Sequence, residues 1–85
     1  MPELRFEEIV VDERCDPCGR SIGELRIRQA TGALVIALRK ADGTFDPTPD
    51  ASAVLEAGDV LIGVGTTEEM AKLEALFAPR EVPVA

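Results

Sequence analysis

Residues 18–43 read "CGRSIGELRIRQATGALVIALRKADG", and this stretch decides the fold. "SIGE" is a capping box. The Ser21 hydroxyl is placed to accept from the backbone N–H of Glu24, and the Glu24 carboxylate to reach back. Ile22 and Leu25 follow three apart, on one helical face. The pattern predicts a helix from Ser21 to Thr31, with Gly32 as its left-handed cap. "ALVIALRK", residues 33–40, is a continuous apolar run of strand length and predicts a central strand covered on both faces. Asp42-Gly43 then marks a tight hairpin turn.

The flanks extend this pattern. "LRFEEIVV", residues 4–11, reads as a strand with imperfect alternation, and a polar loop runs from Asp12 to Arg20. The strand returning from the hairpin is short, because Pro47 and Pro49 cannot donate to a ladder. "LEAGDVLIGVG" predicts a turn and then a buried strand over Val60–Val64. Gly63 and Gly65 mark a place where the backbone turns or approaches a neighbour closely. Thr66 with Glu69, or Thr67 alone, caps a second helix whose apolar set is Met70, Leu73, Leu76 and Phe77. Pro79 ends it, leaving residues 79–85 as a loose tail. The order is strand, helix, strand, hairpin strand, strand, helix. This predicts an α+β domain over residues 4–78: a small, mostly antiparallel sheet with two helices on one face.

Composition limits the function. The chain has 85 residues, sixteen acids against nine bases, a net charge of −7 and no histidine. An acidic surface of this kind argues against a nucleic-acid partner and against an anionic membrane surface. No apolar run approaches the ~20 residues that span a bilayer, and the start lacks the pattern of a signal peptide. The expected location is the cytoplasm, with no direct membrane insertion. Without histidine there is no imidazole catalysis. No nucleophile–base pair, phosphate loop or paired catalytic carboxylates stand out, so the chain does not read as an enzyme. Three phenylalanines are the whole aromatic content. The core is therefore aliphatic, and a small domain of this type gains stability by sharing surface with a second copy.

Three groups of residues could carry chemistry. Cys15 and Cys18 form a C-x-x-C ahead of the first helix. Such a pair can be a thiol redox centre at a helix start, part of a zinc site completed by carboxylates or a second chain, or simple packing. Asp16 opposes thiolate formation, and one chain offers only two of the four ligands zinc needs. Arg14, Arg20, Arg26 and Arg28 crowd the first helix. They either bind an anionic ligand or pair with the abundant acids. Asp42, Asp46, Asp50 and Asp59 suggest a divalent cation, but each sits at a turn or cap that favours aspartate anyway.

Read as a whole, the pattern resembles the RCK C-terminal domain, also called the TrkA-C domain. The residues that carry the resemblance are Gly19, Arg20, Ser21, Ile22, Glu24-Leu25 and Arg28, then Gly32, the strand Leu34–Leu38 and Asp42-Gly43. Pro47, Pro49, Leu55, Gly58-Asp59 and Gly65 complete it. The resemblance implies a cytosolic regulatory domain, peripheral to a membrane subunit of a potassium channel or transporter. It also implies a homodimer that binds a small anionic effector, in some members a cyclic dinucleotide, cyclic di-AMP. By position, the implied effector site falls on Ile27, Arg28, Gln29, Leu34 and Pro49. The cysteines fall in an ordinary loop of the family pattern, and Cys18 takes an often apolar position.

Overall fold

The structure is a computed structural model and describes residues 3–81. Its elements are β1 (Leu4–Val10), α1 (Ile22–Leu25), α2 (Ile27–Thr31), β2 (Leu34–Arg39), β3 (Phe45–Asp46), β4 (Val60–Thr66) and α3 (Thr67–Leu76). The four strands form one antiparallel sheet in the order β1-β4-β2-β3. The helices pack on one face, over a core that includes Ile9, Ile27, Leu38, Leu61, Met70, Leu73 and Phe77. This is the α+β arrangement that the sequence predicts. Residues 82–85, most of the expected loose tail, lie outside the described residues. Just before them, Arg80 donates from both its backbone N–H and its Nε to the carbonyl of Arg14, each at 3.1 Å.

Both capping boxes form. Glu24 N–H donates to Ser21 Oγ at 3.1 Å, and Glu69 N–H donates to Thr66 Oγ1 at 3.2 Å. Thr66, not Thr67, is the cap of α3. β4 runs two residues beyond its predicted end, so the same threonine closes the strand and starts the helix.

The predicted first helix is not continuous. Arg26 sits in the left-handed region, at φ +48°, and divides it into α1 and α2. The cause is packing. At ~100° per residue, an unbroken helix would point Ile27 roughly 140° away from Ile22. The break turns Ile27 and Thr31 inward, where both are buried, while Ile22 and Leu25 still pack against the core. The Thr31 hydroxyl is satisfied internally: it donates to the Ile27 carbonyl at 2.7 Å and accepts from Ala33 N–H at 3.0 Å.

The expectation of two-sided cover for β2 also needs correction. Among the described residues only one face of the sheet carries helices. A register shift between Val35 and Ala37 makes Ile36 a bulge, and Leu34 and Ile36 stay exposed with Phe6, Val10 and Phe45. The apolar run of β2 therefore serves two surfaces, a core and an open face.

Gly63 and Gly65 lie under α3, and close approach is the reason for both. A Cβ on Gly63 would stand 2.8 Å from Leu73 Cδ2. Gly63→Val is expected to cost about 1–3 kcal/mol through overpacking, read as a lower urea midpoint with an unchanged slope.

Candidate functional site

The α1–α2 break creates a concavity of about 420 Å³ between the helices and the start of β2. Ile22, Gly23, residues 26–29 and residues 33–35 line it. Local chemistry fixes its frame. The N–H groups of Ile22 and Gly23, free donors at a helix start, donate to the carbonyls of Ala53 and Ala51 at 2.9 and 2.8 Å. The proline loop thus clamps the helix entry and occupies its donors. A Cβ on Gly23 would stand 3.1 Å from the Ala51 oxygen, so the clamp needs glycine's small size. Gly19 N–H donates to the Leu55 carbonyl and Leu55 N–H to that of Arg20, which ties the other side of the entry to the chain ahead of β4.

Of the five residues that the family pattern places at an effector site, Ile27, Arg28, Gln29 and Leu34 line this cleft. Ile27 is a wall, with its side chain in the core. Arg28 and Gln29 are exposed, and Leu34 is 46% exposed. Pro49 is not in the lining. It lies two residues before Ala51 in the loop that clamps Gly23. Arg26 was missing from the expected site and lies in the lining. The sequence marks it only as one of four clustered arginines, because its place in the cleft depends on the left-handed backbone at the α1–α2 break.

The four clustered arginines divide in two. Arg14 pairs with Asp12 at 3.6 Å and Arg20 with Glu24 at 3.7 Å. Arg26 and Arg28 have no carboxylate in ion-pair range among the described residues. In a chain of net charge −7, two guanidiniums thus stand unpaired beside one apolar-walled cleft. Guanidinium suits phosphate because its planar fork donates two parallel hydrogen bonds.

The other candidates resolve differently. Asp59 is fully buried and structural. It accepts from Lys40 Nζ at 2.6 Å, Ala41 N–H at 3.0 Å and Glu56 N–H at 2.9 Å. Asp42 and Asp46 accept from the N–H groups of Thr44 and Thr48, as turn residues do. Hydrogen bonding from Thr44, first from its side chain and then from its backbone N–H, holds the Asp42 carboxyl below its ordinary pKa. Cys15 is a buried thiol in the core cluster, and Cys18 packs partly against it. They bracket a turn in which Cys18 N–H donates to the Cys15 carbonyl at 3.2 Å. Among the described residues no three metal-binding side chains cluster, so zinc here would need ligands from another chain.

Three comparisons bear on this geometry. The family model for the TrkA-C domain matches residues 6–78. "Potassium channel protein 1" of Methanocaldococcus jannaschii is 41% identical over 49 residues, which cover 56% of this chain and 14% of that protein. The chain thus spans only a small part of that relative. Among solved structures, the RCK_C domain dimer of S. agalactiae BusR in complex with c-di-AMP is 35% identical. Its TM-score is 0.78, covering 87% of this chain and 90% of that one. The RCK C domain of the potassium transport protein KtrA, in complex with cyclic diadenosine monophosphate, is 30% identical. Its TM-score is 0.77, covering 86% of this chain and 82% of that one.

Proposed function

Because this chain belongs to the TrkA-C domain family, we propose that it is a ligand-reading, dimer-forming regulatory domain that controls a potassium channel or transporter. It works in the cytoplasm and carries out no catalysis. The observation that carries this reading is the cleft at the α1–α2 break, with Arg26 and Arg28 free of acid partners beside apolar walls. The class of ligand is a small anion with an aromatic or apolar body, and cyclic diadenosine monophosphate is the leading case. Its phosphates meet the guanidiniums, and its bases pack on Leu34 and the neighbouring walls. Domains about one-third identical to this chain are seen with that ligand.

The open sheet face supplies the dimer surface. Phe6, Val10, Ile36 and Phe45 are exposed there, and contiguous apolar surface of this kind marks an interaction site. Leu34 belongs to both that face and the cleft, so a second copy on the face brings two clefts together. A ligand with two-fold symmetry fits a two-fold interface. Ligand binding that favours one dimer geometry biases the attached gate by the difference in affinity between geometries.

A thermal-shift screen of nucleotides and cyclic dinucleotides tests this reading. A cyclic dinucleotide at a hundred times its Kd is expected to add about 2.7 kcal/mol of stability. No shift with any anionic ligand would leave a dimerisation domain with an empty cleft.

A further inference from the structure

β1 is an edge strand. β4 pairs one side of it, and no strand among the described residues pairs the other. An unpaired edge offers alternate backbone N–H and C=O groups as a template for another strand. β1 is seven residues long and contains no proline to blunt it. A groove of about 470 Å³ runs beside this edge, between β1 and the C-terminal end of α3. Ile9, Phe77 and Pro79 give it an apolar lining, and Glu7 and Glu74 supply two carboxylates; Glu8 borders it too, but its carboxylate is held by Arg39 at 3.0 Å. No lysine or arginine lines it.

Glu7 shows what the groove lacks. Its Oε2 is shut away from solvent without a hydrogen-bond partner. Its Oε1 has only Arg5, at a loose 3.8 Å. The Glu74 carboxyl stands beside it. The nearness of Glu74, then burial, raise the Glu7 pKa above the ordinary carboxylate value, with Arg5 pulling the other way. Two neighbouring carboxyls either share a proton or take a cation between them.

We propose that the β1–α3 groove docks an extended basic segment of a partner protein, which adds to β1 as a fifth strand and sets a Lys or Arg side chain between Glu7 and Glu74. Strand addition draws affinity from main-chain hydrogen bonds and specificity from every second side chain. A groove-facing base at one position and an apolar residue two positions on would match the carboxyl pair and the Ile9–Phe77 lining. The net charge of −7 favours encounter with a basic partner. β4 separates this edge from β2, so docking here leaves the effector cleft free.

Fluorescence anisotropy with a labelled peptide of alternating valine and lysine tests the proposal. The expected result is binding to the 85-residue chain but none by the valine–glutamate counterpart or by a valine–lysine peptide interrupted with prolines. The Glu7→Gln, Glu74→Gln double variant is expected to weaken binding about tenfold or more, the scale of one charged hydrogen bond. Glu68→Gln with Glu81→Gln, an equal change of charge outside the groove, should alter it little. Hydrogen exchange on the unaltered protein gives an independent reading: the peptide should slow alternate amides of β1 and leave β2 unchanged. Failure of the valine–lysine peptide to bind, equal weakening by both variant pairs, or protection elsewhere would overturn the proposal. So would binding of the proline peptide, or uptake of calcium at Glu7 and Glu74 with no peptide binding.

Discussion

Asp59→Ala should cost about 3–5 kcal/mol of stability, more than the ~1–3 kcal/mol expected of Gly63→Val. The figure follows from what the carboxylate holds. It is fully buried and accepts from two backbone N–H groups and the Lys40 ammonium. Removing it orphans the Ala41 and Glu56 N–H groups, at about 1–3 kcal/mol each. Lys40 is less penalised, because its side chain is 27% exposed and keeps Glu56 at 3.0 Å. These contacts pin the β2–β3 hairpin to the turn that enters β4. Gly58, at φ +90°, lets that turn form, and Val11 N–H donates to the Asp59 carbonyl at 2.8 Å. Asp59→Ala removes the side-chain contacts that join the hairpin to this turn, while the backbone bond from Val11 remains. For a domain this small the loss takes a large share of a total near 0.05–0.15 kcal/mol per residue. The urea midpoint at neutral pH measures it.

The same contact gives a pH signature. Burial alone would lower the Lys40 pKa. Hydrogen bonds to Asp59 and Glu56, with their charges, outweigh it and raise the value above 10.5. A group with a raised folded pKa contributes stability that is complete below the unfolded value and lost as pH rises through the folded one. The wild type should therefore lose stability above pH 10.5, and Asp59→Ala should show a smaller alkaline loss. An equal alkaline loss in both proteins would assign it to other groups.

Replacing Arg26 and Arg28 together should remove ligand binding while leaving the fold intact. Both side chains are exposed and have no acid partners among the described residues. Neither supports the core. Hydrogen bonds to a charged ligand group are worth about 1.5–3 kcal/mol each, so the double alanine variant is expected to lose roughly a hundredfold or more in affinity. Arg26→Gly separates binding from strain. Glycine relieves the left-handed backbone, worth about 1–2 kcal/mol, and gives back about 0.4–1 kcal/mol as unfolded-chain entropy. Stability should hold or rise slightly while affinity falls. A variant that loses affinity and stability together would place Arg26 in the scaffold and not in the binding site.

What the sequence revealed and what it concealed follow from the range of the interactions. The capping boxes at Ser21–Glu24 and Thr66–Glu69 were legible because each closes within one helical turn. The Asp42-Gly43 turn was legible for the same reason: Gly43 takes φ +92°, and Thr44 N–H reaches Asp42 Oδ1 at 2.8 Å. The helix break at Arg26 was not, since a left-handed arginine answers to the distant core that receives Ile27 and Thr31. The open face of β2 was hidden too. An apolar run looks alike whether helices or a second chain cover it, and the bulge at Ile36 leaves no local mark. The site was legible in part. Arg28, Gln29 and Leu34 follow from the order of motifs, whereas Arg26 shows in the sequence only as one of four clustered arginines, and the break is what sets it in the cleft. Lys40 and Asp59, nineteen residues apart, gave no hint of pairing.

Isothermal titration of the 85-residue chain with cyclic diadenosine monophosphate tests the regulatory reading most directly. The predicted result is saturable binding with one ligand per two chains, lost in the Arg26→Ala, Arg28→Ala double variant. Absence of heat and of competition with any other cyclic dinucleotide, or binding unchanged in that variant, would contradict it.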